Sequence, residues 1–301
     1  MYKPQKNLPF KKIEDIDFPK GVQLQTISAC NGRCIMCPYA FVEKKIEHGF
    51  MSELLFRKIV DECAAHKIEE FKPFLMNEPL LDSRLPDLLE YAREKLDVAV
   101  IGFSTNGMKM EGLMAERLAN IGLNEVWFNF SGNTPETYNR VMKGLDFVTV
   151  RDNIINFSNL VARSNSGTSV NISMVEIQDS IPEIEDSITF WRDYGVMVHP
   201  IPYNNRGGNS DEINIKVLKK PVGARPCDKP TYKLCILFNG EVVLCPADWE
   251  RKNIIGNVDA TSISEVWNGE CRKNYINDIL ACNYDNIALC KNCDFPLLYD
   301  D

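Results

Sequence analysis

Short β-rich runs alternate with helix-like stretches along residues 21–201 of the 301-residue chain. The predicted strands cover residues 21–27, 69–76, 98–103, 125–130, 169–175 and 196–201. The predicted helices cover residues 52–65, 85–95, 111–121, 137–141 and 181–194. Strands that alternate with helices form βα units on a parallel sheet. About six such units precede residue 205, which is too few for a closed eight-fold barrel but enough for an open one.

Three cysteines follow the first predicted strand, in the segment Cys30-Asn-Gly-Arg-Cys34-Ile-Met-Cys37-Pro. A four-iron cube normally takes four cysteine ligands, so three ligands on one tight loop leave one iron open to a small molecule. A zinc site is the alternative interpretation. However, C-x3-C-x2-C is not a common zinc spacing, and His48 is the only histidine close by. The triplet therefore predicts an iron–sulfur cluster with one open coordination position.

The other cysteines indicate a second metal site in the C-terminal part of the chain. Seven of the eleven cysteines lie between Cys227 and Cys293, and Cys63 stands alone between the two groups. In a reducing compartment, clustered cysteines more often bind metal or carry out chemistry than form disulfides.

The residues after the predicted barrel differ in kind from those within it. Residues 202–211 have the composition of a loop, residues 234–245 predict a β-hairpin that turns at Asn239-Gly240, and residues 262–267 predict a helix. We place the domain boundary at about residues 206–220. The predicted organisation is an N-terminal extension (1–20), a partial barrel (21–210) and an auxiliary domain (211–301).

Composition and charge exclude several classes of protein. The chain is 45% hydrophobic and 25% charged, as is usual for a globular protein, and its net charge is -8. An acidic chain is a poor partner for nucleic acid or an anionic membrane. There is no apolar run of the roughly 18 residues that a membrane helix needs, and the N-terminal residues lack the apolar stretch of a secretory signal. We expect a cytoplasmic protein.

The cysteine loop resembles the signature of the radical S-adenosylmethionine (SAM) superfamily, with Met36 at its apolar position. Phe74-Leu-Met-Asn-Glu78-Pro79 is similar to the Gly-Gly-Glu-Pro stretch that holds the methionine amino group of SAM in that superfamily. Here Met76 and Asn77 replace the two glycines. The resemblance covers about residues 20–205 and implies that Met36, Asn77 and Glu78 contact SAM.

Two further segments follow in the order that the superfamily has. Ser104-Thr105-Asn106-Gly107 matches its Ser-Thr-Asn-Gly turn, and Asn129-Phe-Ser131-Gly132 is similar to its Ser-Ile-Asp-Gly segment. The resemblance therefore implies that Ser104, Asn106, Asn129 and Ser131 also bind SAM. It further implies that one electron from the cluster cleaves SAM, and that the resulting radical abstracts a hydrogen atom from the substrate.

The C-terminal cysteines resemble the small auxiliary-cluster domains of this superfamily, called SPASM when they hold two clusters and twitch when they hold one. The two-cluster form needs cysteines after the final C-x2-C, and none follows Cys293. The resemblance thus implies one auxiliary [4Fe–4S] cluster bound by Cys227, Cys245, Cys290 and Cys293. Cys235 remains an alternative ligand. Cys235, like Cys63, Cys271 and Cys282, is otherwise interpreted as a packing residue, or as a hydrogen-atom donor in an epimerase.

The one-cluster form looks most like the aminocyclitol dehydrogenases of the superfamily, which oxidise a secondary alcohol to a ketone. Only about 20 residues precede the first strand, which favours a small polar substrate over a peptide. Arg206 and Tyr203 follow the last barrel strand, where they could face a hydroxylated substrate. An arginine there would stabilise a developing alkoxide. The alternatives are a radical epimerase and a peptide- or protein-modifying enzyme, and the expected electron donor is a flavodoxin or ferredoxin.

Overall fold

The computed structural model describes residues 17–96, 100–208, 221–295 and 297–299. Most of the predicted N-terminal extension, residues 98–99 of the third predicted strand and residues 209–220 of the predicted domain boundary lie outside these ranges. None of the helices within them has the length and apolar character that a membrane span needs.

The described strands and helices alternate as predicted through residue 202, and shorter elements follow. The strands are β1 Gly21–Leu24, β2 Glu70–Lys72, β3 Val100–Thr105, β4 Glu125–Asn129, β5 Ser169–Glu176, β6 Met197–Pro202, β7 Pro221–Ala224, β8 Lys233–Ile236, β9 Glu241–Val243, β10 Ile254–Asn257 and β11 Leu297–Tyr299. The helices are α1 Tyr39–Val42, α2 Glu53–His66, α3 Leu85–Lys95, α4 Gly112–Asn120, α5 Pro135–Val141, α6 Phe147–Ser164, α7 Ile184–Arg192, α8 Lys229–Tyr232, α9 Ile263–Trp267, α10 Glu270–Leu280 and α11 Ala288–Lys291.

Nine strands form one sheet in the order β10-β9-β8-β1-β2-β3-β4-β5-β6. The six strands β1 to β6 are parallel neighbours in chain order, which confirms the predicted partial (β/α)6 barrel. The predicted hairpin is also present, because β8 and β9 pair antiparallel and Gly240 turns with φ +84°. The prediction had not included that β8 pairs in parallel with β1, with Val22 opposite Leu234. The C-terminal hairpin thus covers the edge of the barrel sheet that β1 would otherwise expose.

β1 ends at Leu24 rather than residue 27. Two further local differences from the predicted elements have simple physical causes. β2 ends at Lys72 rather than residue 76, because Pro73 has no amide hydrogen and the Phe74 N–H donates back to the Lys72 carbonyl (2.8 Å). The sequence prediction also missed α6, although Asp146 caps it by accepting from the Thr149 N–H (2.8 Å).

The two faces of β4 distinguish the outside of the barrel from its interior. Phe128 lies edge-on to Phe157 of α6, with ring centroids 5.8 Å apart, so this face packs on the helices. Glu125, Trp127 and Asn129 alternate with the buried residues and are half-buried on the opposite, inner face. Active sites of such barrels lie at the carboxyl ends of the strands, where β1 leads into the cysteine loop.

Candidate active site at two cysteine-rich centres

The loop that carries the first three cysteines is held by backbone hydrogen bonds to a distant segment. The Arg33 N–H donates to the Lys143 carbonyl (2.6 Å) and the Ile35 N–H to the Val141 carbonyl (2.9 Å). Within the loop, the Cys30 N–H donates to the Tyr39 hydroxyl (3.0 Å). The side chain of Met36 is buried and packs in the main core, so here it anchors the loop. Its predicted contact with SAM stays a prediction.

The three thiols of this loop lie close enough to influence one another. Burial raises the pKa of Cys30 to about 12, and burial together with the neighbouring cysteines raises the pKa of Cys34. Burial likewise raises the pKa of Cys37, which the charge of Arg206 lowers. Buried thiols in this setting remain protonated unless a metal binds them as thiolates.

Glu78 connects the loop after β2 to the end of β3. Its buried carboxylate, only 2% exposed, accepts hydrogen bonds from the Leu80 N–H (3.0 Å), the Thr105 hydroxyl (2.6 Å) and the Asn106 N–H (2.7 Å). Its own N–H donates to the Ala29 carbonyl (2.8 Å), next to Cys30. Burial raises the pKa of Glu78 to about 7 despite these donors. The structure therefore gives the side chain a bracing role, and its direct contact with SAM stays a prediction.

Met76 and Asn77 stand where the superfamily has two glycines, and the backbone of Met76 shows why glycine suits the first of these positions. Met76 has φ +52°, in the left-handed region that glycine adopts readily. Asn77 accepts from the Leu75 N–H (2.7 Å) through Oδ1, whereas its buried Nδ2 has no partner among the described residues. A ligand that accepts a hydrogen bond would satisfy Asn77, which fits its predicted place in a SAM site.

The turn after β3 joins the cysteine loop through Asn106. Its Nδ2–H donates to Asn31 Oδ1 (2.7 Å), and its own Oδ1 accepts from the Met108 N–H (2.9 Å). Ser104, at the end of β3, is partly exposed. The structure thus brings the second and third motifs to the first one, as expected for parallel strands that end at one edge of a sheet.

The two polar residues predicted at the end of β4 differ in accessibility. Asn129 is half-buried on the inner face and accepts from the Ser173 hydroxyl (2.7 Å). Ser131 is 1% exposed, and its hydroxyl oxygen accepts from the Val175 N–H (3.0 Å). Ser131 therefore joins β4 to β5, and its contact with SAM stays a prediction.

A polar row on the inner face was missed by the sequence analysis. Asn129, Ser173 and His199 are register neighbours across β4, β5 and β6. His199 Nε2 lies 3.2 Å from Asn171 Oδ1, and its ring centroid lies 4.8 Å from that of Trp127. The period-2 alternation within each strand was the available signal, but it does not show which strands become neighbours.

The four predicted auxiliary ligands converge on one cavity. Cys227, Cys245, Cys290 and Cys293 all line it, together with residues such as Leu244, Ile279 and Leu289. Burial raises the pKa of Cys245 to about 11 and that of Cys290 to about 12. The alternative ligand Cys235 does not line this cavity, and it is buried in a separate apolar cluster with Leu75, Leu237 and Val243.

The predicted donors of both centres are cysteines, which are the usual ligands of iron–sulfur clusters. All eleven cysteines are free. Within the described ranges, no three His, Cys, Asp or Glu side chains converge on one metal ion. A four-iron cube takes its cysteine ligands at separate corners, so the cysteines of the two centres are suitable donors for such clusters.

The loop after β6 lies between the two cysteine centres. Asn204 and Gly207 of this loop line the four-cysteine cavity, and the Asn205 N–H donates to Asp294 Oδ2 (2.8 Å), next to the predicted ligand Cys293. Burial raises the pKa of Cys37 in the first centre and that of Asp294, and the charge of Arg206 opposes this rise at both groups. Tyr203 packs against the main core. The catalytic role of Arg206 and Tyr203 stays a prediction.

Two family models match the chain. The model for the "Radical SAM superfamily" matches residues 24–186, and the SPASM model, described as an "Iron-sulfur cluster-binding domain", matches residues 227–294.

The relatives found by sequence have different activities in their names. A tungsten-containing aldehyde ferredoxin oxidoreductase cofactor-modifying protein of Pyrococcus furiosus is 23% identical over 83% of this chain and 69% of that protein. An S-adenosyl-L-methionine-dependent 2-deoxy-scyllo-inosamine dehydrogenase of Niallia circulans is 20% identical over 91% of this chain and 92% of that protein.

Solved structures share the fold. BtrN in complex with AdoMet and 2-DOIA superimposes with a TM-score of 0.64, at 19% identity, over 91% of this chain and 92% of that chain. Streptococcus suis SuiB bound to the precursor peptide SuiA gives a TM-score of 0.71, at 14% identity, over 88% of this chain and 68% of that chain.

The predicted family and cofactors are confirmed. The chain belongs to the radical SAM superfamily, whose enzymes use SAM and a [4Fe–4S] cluster, and its C-terminal part is an iron–sulfur cluster-binding domain.

Proposed function

We propose that this radical SAM oxidoreductase oxidises a secondary alcohol of a small polar substrate, such as a sugar or an aminocyclitol, to a ketone. The observation that carries the proposal is the position of Arg206. The neighbouring Asn205 N–H donates to Asp294 Oδ2 (2.8 Å) and the neighbouring Gly207 lines the four-cysteine cavity, whereas the charge of Arg206 also acts on Cys37 of the first centre. A substrate bound at Arg206 would therefore lie between a site that starts a radical reaction and a site that accepts an electron.

The proposed reaction removes two electrons and two hydrogens from the carbinol. When bound, SAM and its cluster supply hydrogen-atom abstraction, and the auxiliary cluster supplies an acceptor for the second electron. The hydroxyl proton leaves to solvent, and the fixed guanidinium of Arg206 stabilises negative charge on the carbinol oxygen. Tyr203 helps to position the substrate from the same loop.

The inner face of the barrel supports a polar substrate. Asn129, Ser173, Asn171 and His199 place hydrogen-bonding groups on neighbouring strands. Such groups match the hydroxyls and amines of a cyclitol, which would satisfy them when water is excluded. The name of the Niallia circulans relative, which this chain matches over 91% of its length, points to the same substrate class.

Peptide modification is the second candidate, and the likeness to SuiB bound to its precursor peptide favours it.

An epimerase would need a cysteine that donates a hydrogen atom to the substrate. Cys63 and Cys235 are poor candidates for this donor, because they are 0% and 1% exposed within apolar clusters. The physiological reductant is proposed to be a flavodoxin or ferredoxin.

The test uses the anaerobically reconstituted protein with SAM, a reductant and a panel of aminocyclitols and sugars deuterated at single carbinol carbons. The proposal expects one deuterium in 5′-deoxyadenosine and one ketone for each turnover, both measured by mass spectrometry. An inverted alcohol with solvent hydrogen at that carbon would identify an epimerase instead. Turnover of peptides but of none of the alcohols would favour the second candidate.

A further inference from the structure

Trp249 belongs to the C-terminal domain but packs at the first cysteine centre. It follows the auxiliary ligand Cys245 by four residues, yet it clusters with Tyr39 and Val42, which directly follow the first cysteine loop. Cys30 and Cys37 pack against this same cluster. Trp249 is 8% exposed, so a buried side chain from the C-terminal domain lies at the first cysteine centre.

Hydrogen bonds of residues on either side of Trp249 fix the position of its loop. Asp248 is buried and accepts hydrogen bonds from the Lys252 N–H (3.1 Å) and the Asn253 N–H (2.7 Å). Arg251 donates through Nη1–H to the Glu47 carbonyl (2.9 Å), in the segment that follows α1. These contacts orient the loop toward the first cysteine centre, so the ring has little freedom to turn away.

The indole N–H of Trp249 is a buried donor without an acceptor among the described residues. Indole nitrogen can only donate, and a buried donor without a partner is costly, so native structures nearly always satisfy one. The hydroxyl of neighbouring Tyr39 already accepts from the Cys30 N–H. A radical SAM enzyme has two anionic acceptors at this centre, namely the sulfur atoms of the first cluster and the carboxylate of SAM.

We propose that the Trp249 N–H donates a hydrogen bond to an anionic acceptor at the first centre, so that a residue of the auxiliary domain tunes the SAM-binding cluster. Trp249 is thus a positioning residue that acts through the cofactor. Hydrogen bonds to cluster sulfurs are among the determinants of the reduction potential. A hydrogen bond to the SAM carboxylate would instead contribute to SAM affinity. The inference needs no particular substrate, so it stands independently of the proposed function.

Trp249→Phe is the direct test, because it keeps an aromatic ring and removes the N–H. Trp191→Phe is the matched control: Trp191 is also fully buried, its Nε1 also has no partner among the described residues, and it packs between Phe130 and Phe190 in the barrel. Both variants are reconstituted with iron. The potential of the first cluster is then measured by EPR titration without SAM, and SAM affinity by calorimetry.

A more negative potential in Trp249→Phe alone identifies cluster sulfur as the acceptor. An unchanged potential with SAM affinity lowered about 10-fold identifies the SAM carboxylate. If Trp249→Phe and Trp191→Phe match the unaltered protein in both measurements, the proposal is wrong.

A second measurement avoids dependence on the variant's stability. The unaltered protein is labelled with ¹⁵N-tryptophan, and its reduced first cluster is recognised by the change in its EPR signal on addition of SAM. Pulsed EPR should detect coupling to one of the four indole nitrogens, with or without SAM. The absence of ¹⁵N coupling under both conditions would overturn the proposal, whatever the variant does.

Discussion

Asn205 and Asp294 exchange hydrogen bonds between the loop after β6 and the final cysteine segment. The Asn205 N–H donates to Asp294 Oδ2 (2.8 Å), and the Asp294 N–H donates to Asn205 Oδ1 (3.2 Å). Asn205 Nδ2–H also donates to the Asn292 carbonyl (2.6 Å). Because Arg206 follows Asn205 and Cys293 precedes Asp294, this pair sets the position of the proposed catalytic residue relative to the auxiliary site.

Asn205→Ala should weaken the auxiliary site without affecting the first centre. The change removes two side-chain hydrogen bonds to residues 292–294 and leaves only the bond from the backbone N–H of residue 205 to Asp294, so the C-x2-C segment is held more weakly. The reconstituted variant should fall from about eight irons per chain toward about four. Asn120→Ala is the control, since that amide bonds only to the Glu116 carbonyl of its own helix in the described contacts. Retention of eight irons in Asn205→Ala would contradict this role.

Arg206→Lys should abolish most of the turnover while both clusters remain. Lysine keeps the charge but loses the planar fork of donors, and removal of one such fixed donor typically lowers turnover by about 100-fold. Product formation and iron content are measured together. Arg192→Lys, on an exposed position at the end of α7, is the control for the substitution itself. Unchanged turnover would remove Arg206 from the mechanism.

Gly207→Ala should disrupt the four-cysteine cavity, whereas Gly122→Ala should not. Both glycines have nearly the same left-handed φ, +74° and +75°, so both substitutions carry a similar backbone cost of about 1–2 kcal/mol. An added Cβ at Gly207 would lie 2.8 Å from Leu289 Cδ1, within the cavity lining, whereas at Gly122 it meets nothing within 4 Å.

The two variants are compared by urea unfolding and by iron content. Only Gly207→Ala should lose auxiliary iron. Equal iron content in both would show that the cavity tolerates the added methyl group.

Glu78→Gln should change the pH dependence of stability in the chain before reconstitution. Burial raises the pKa of Glu78 from 4.5 to about 7, so the native state holds a proton that the unfolded state has released between these values. The contribution of Glu78 to the free energy of unfolding is therefore fully present below about pH 4.5. It falls by roughly 3 kcal/mol as the pH rises to about 7. Glutamine does not titrate, so Glu78→Gln should remove this part of the pH dependence of the free energy of unfolding.

Urea unfolding at several pH values between about 4.5 and 7.5 measures the effect. Glutamine also places an NH₂ group near the Leu80 or Asn106 N–H, which leaves one buried donor unpaired. The variant should thus be less stable at low pH, with a flatter profile. An unchanged slope would contradict the raised pKa.

Lys229→Gln should lower the reduction potential of the auxiliary cluster. Lys229 lines the four-cysteine cavity, and its Nζ lies 3.5 Å from the centre of the Phe295 ring. Burial raises the pKa of Cys245 and Cys293, and the charge of Lys229 opposes that rise. Reduction adds negative charge to the cluster, which a nearby cation favours. Lys229→Arg keeps the charge and should preserve the potential. An equal shift in both variants would point to packing rather than charge.

Features that depend on neighbouring residues could be predicted from the sequence. Ser52 caps α2 by accepting from the Leu55 N–H (3.1 Å), and Asn239-Gly240 turns the hairpin as expected. Both depend on residues a few positions apart, so local patterns suffice. The left-handed Met76 is different, because only its alignment with a glycine of the superfamily gave a hint of its conformation.

Contacts between distant segments could not be predicted in this way. Lys58 Nζ donates to the Val258 carbonyl (2.6 Å), although the two residues are 200 positions apart in the sequence. The hydrogen-bonded residues Asn205 and Asp294 are 89 positions apart. The parallel pairing of β8 with β1 belongs to the same class. The sequence of a strand shows which residues share a face. It does not show which strand will pair with it, because strands pair through backbone hydrogen bonds that every residue type except proline can form.

The sequence by itself determined the chemistry of the two centres, because the type and spacing of Cys30, Cys34 and Cys37 and of the C-terminal cysteines set the kind of ligand that each centre can bind. The tertiary structure alone decided how the centres are connected. It placed Asn205 against Asp294, Trp249 of one domain against the loop of the other, and His199 beside Asn171 on the inner face. The physical reason is that burial and charge act through space, whereas the sequence records only order along the chain.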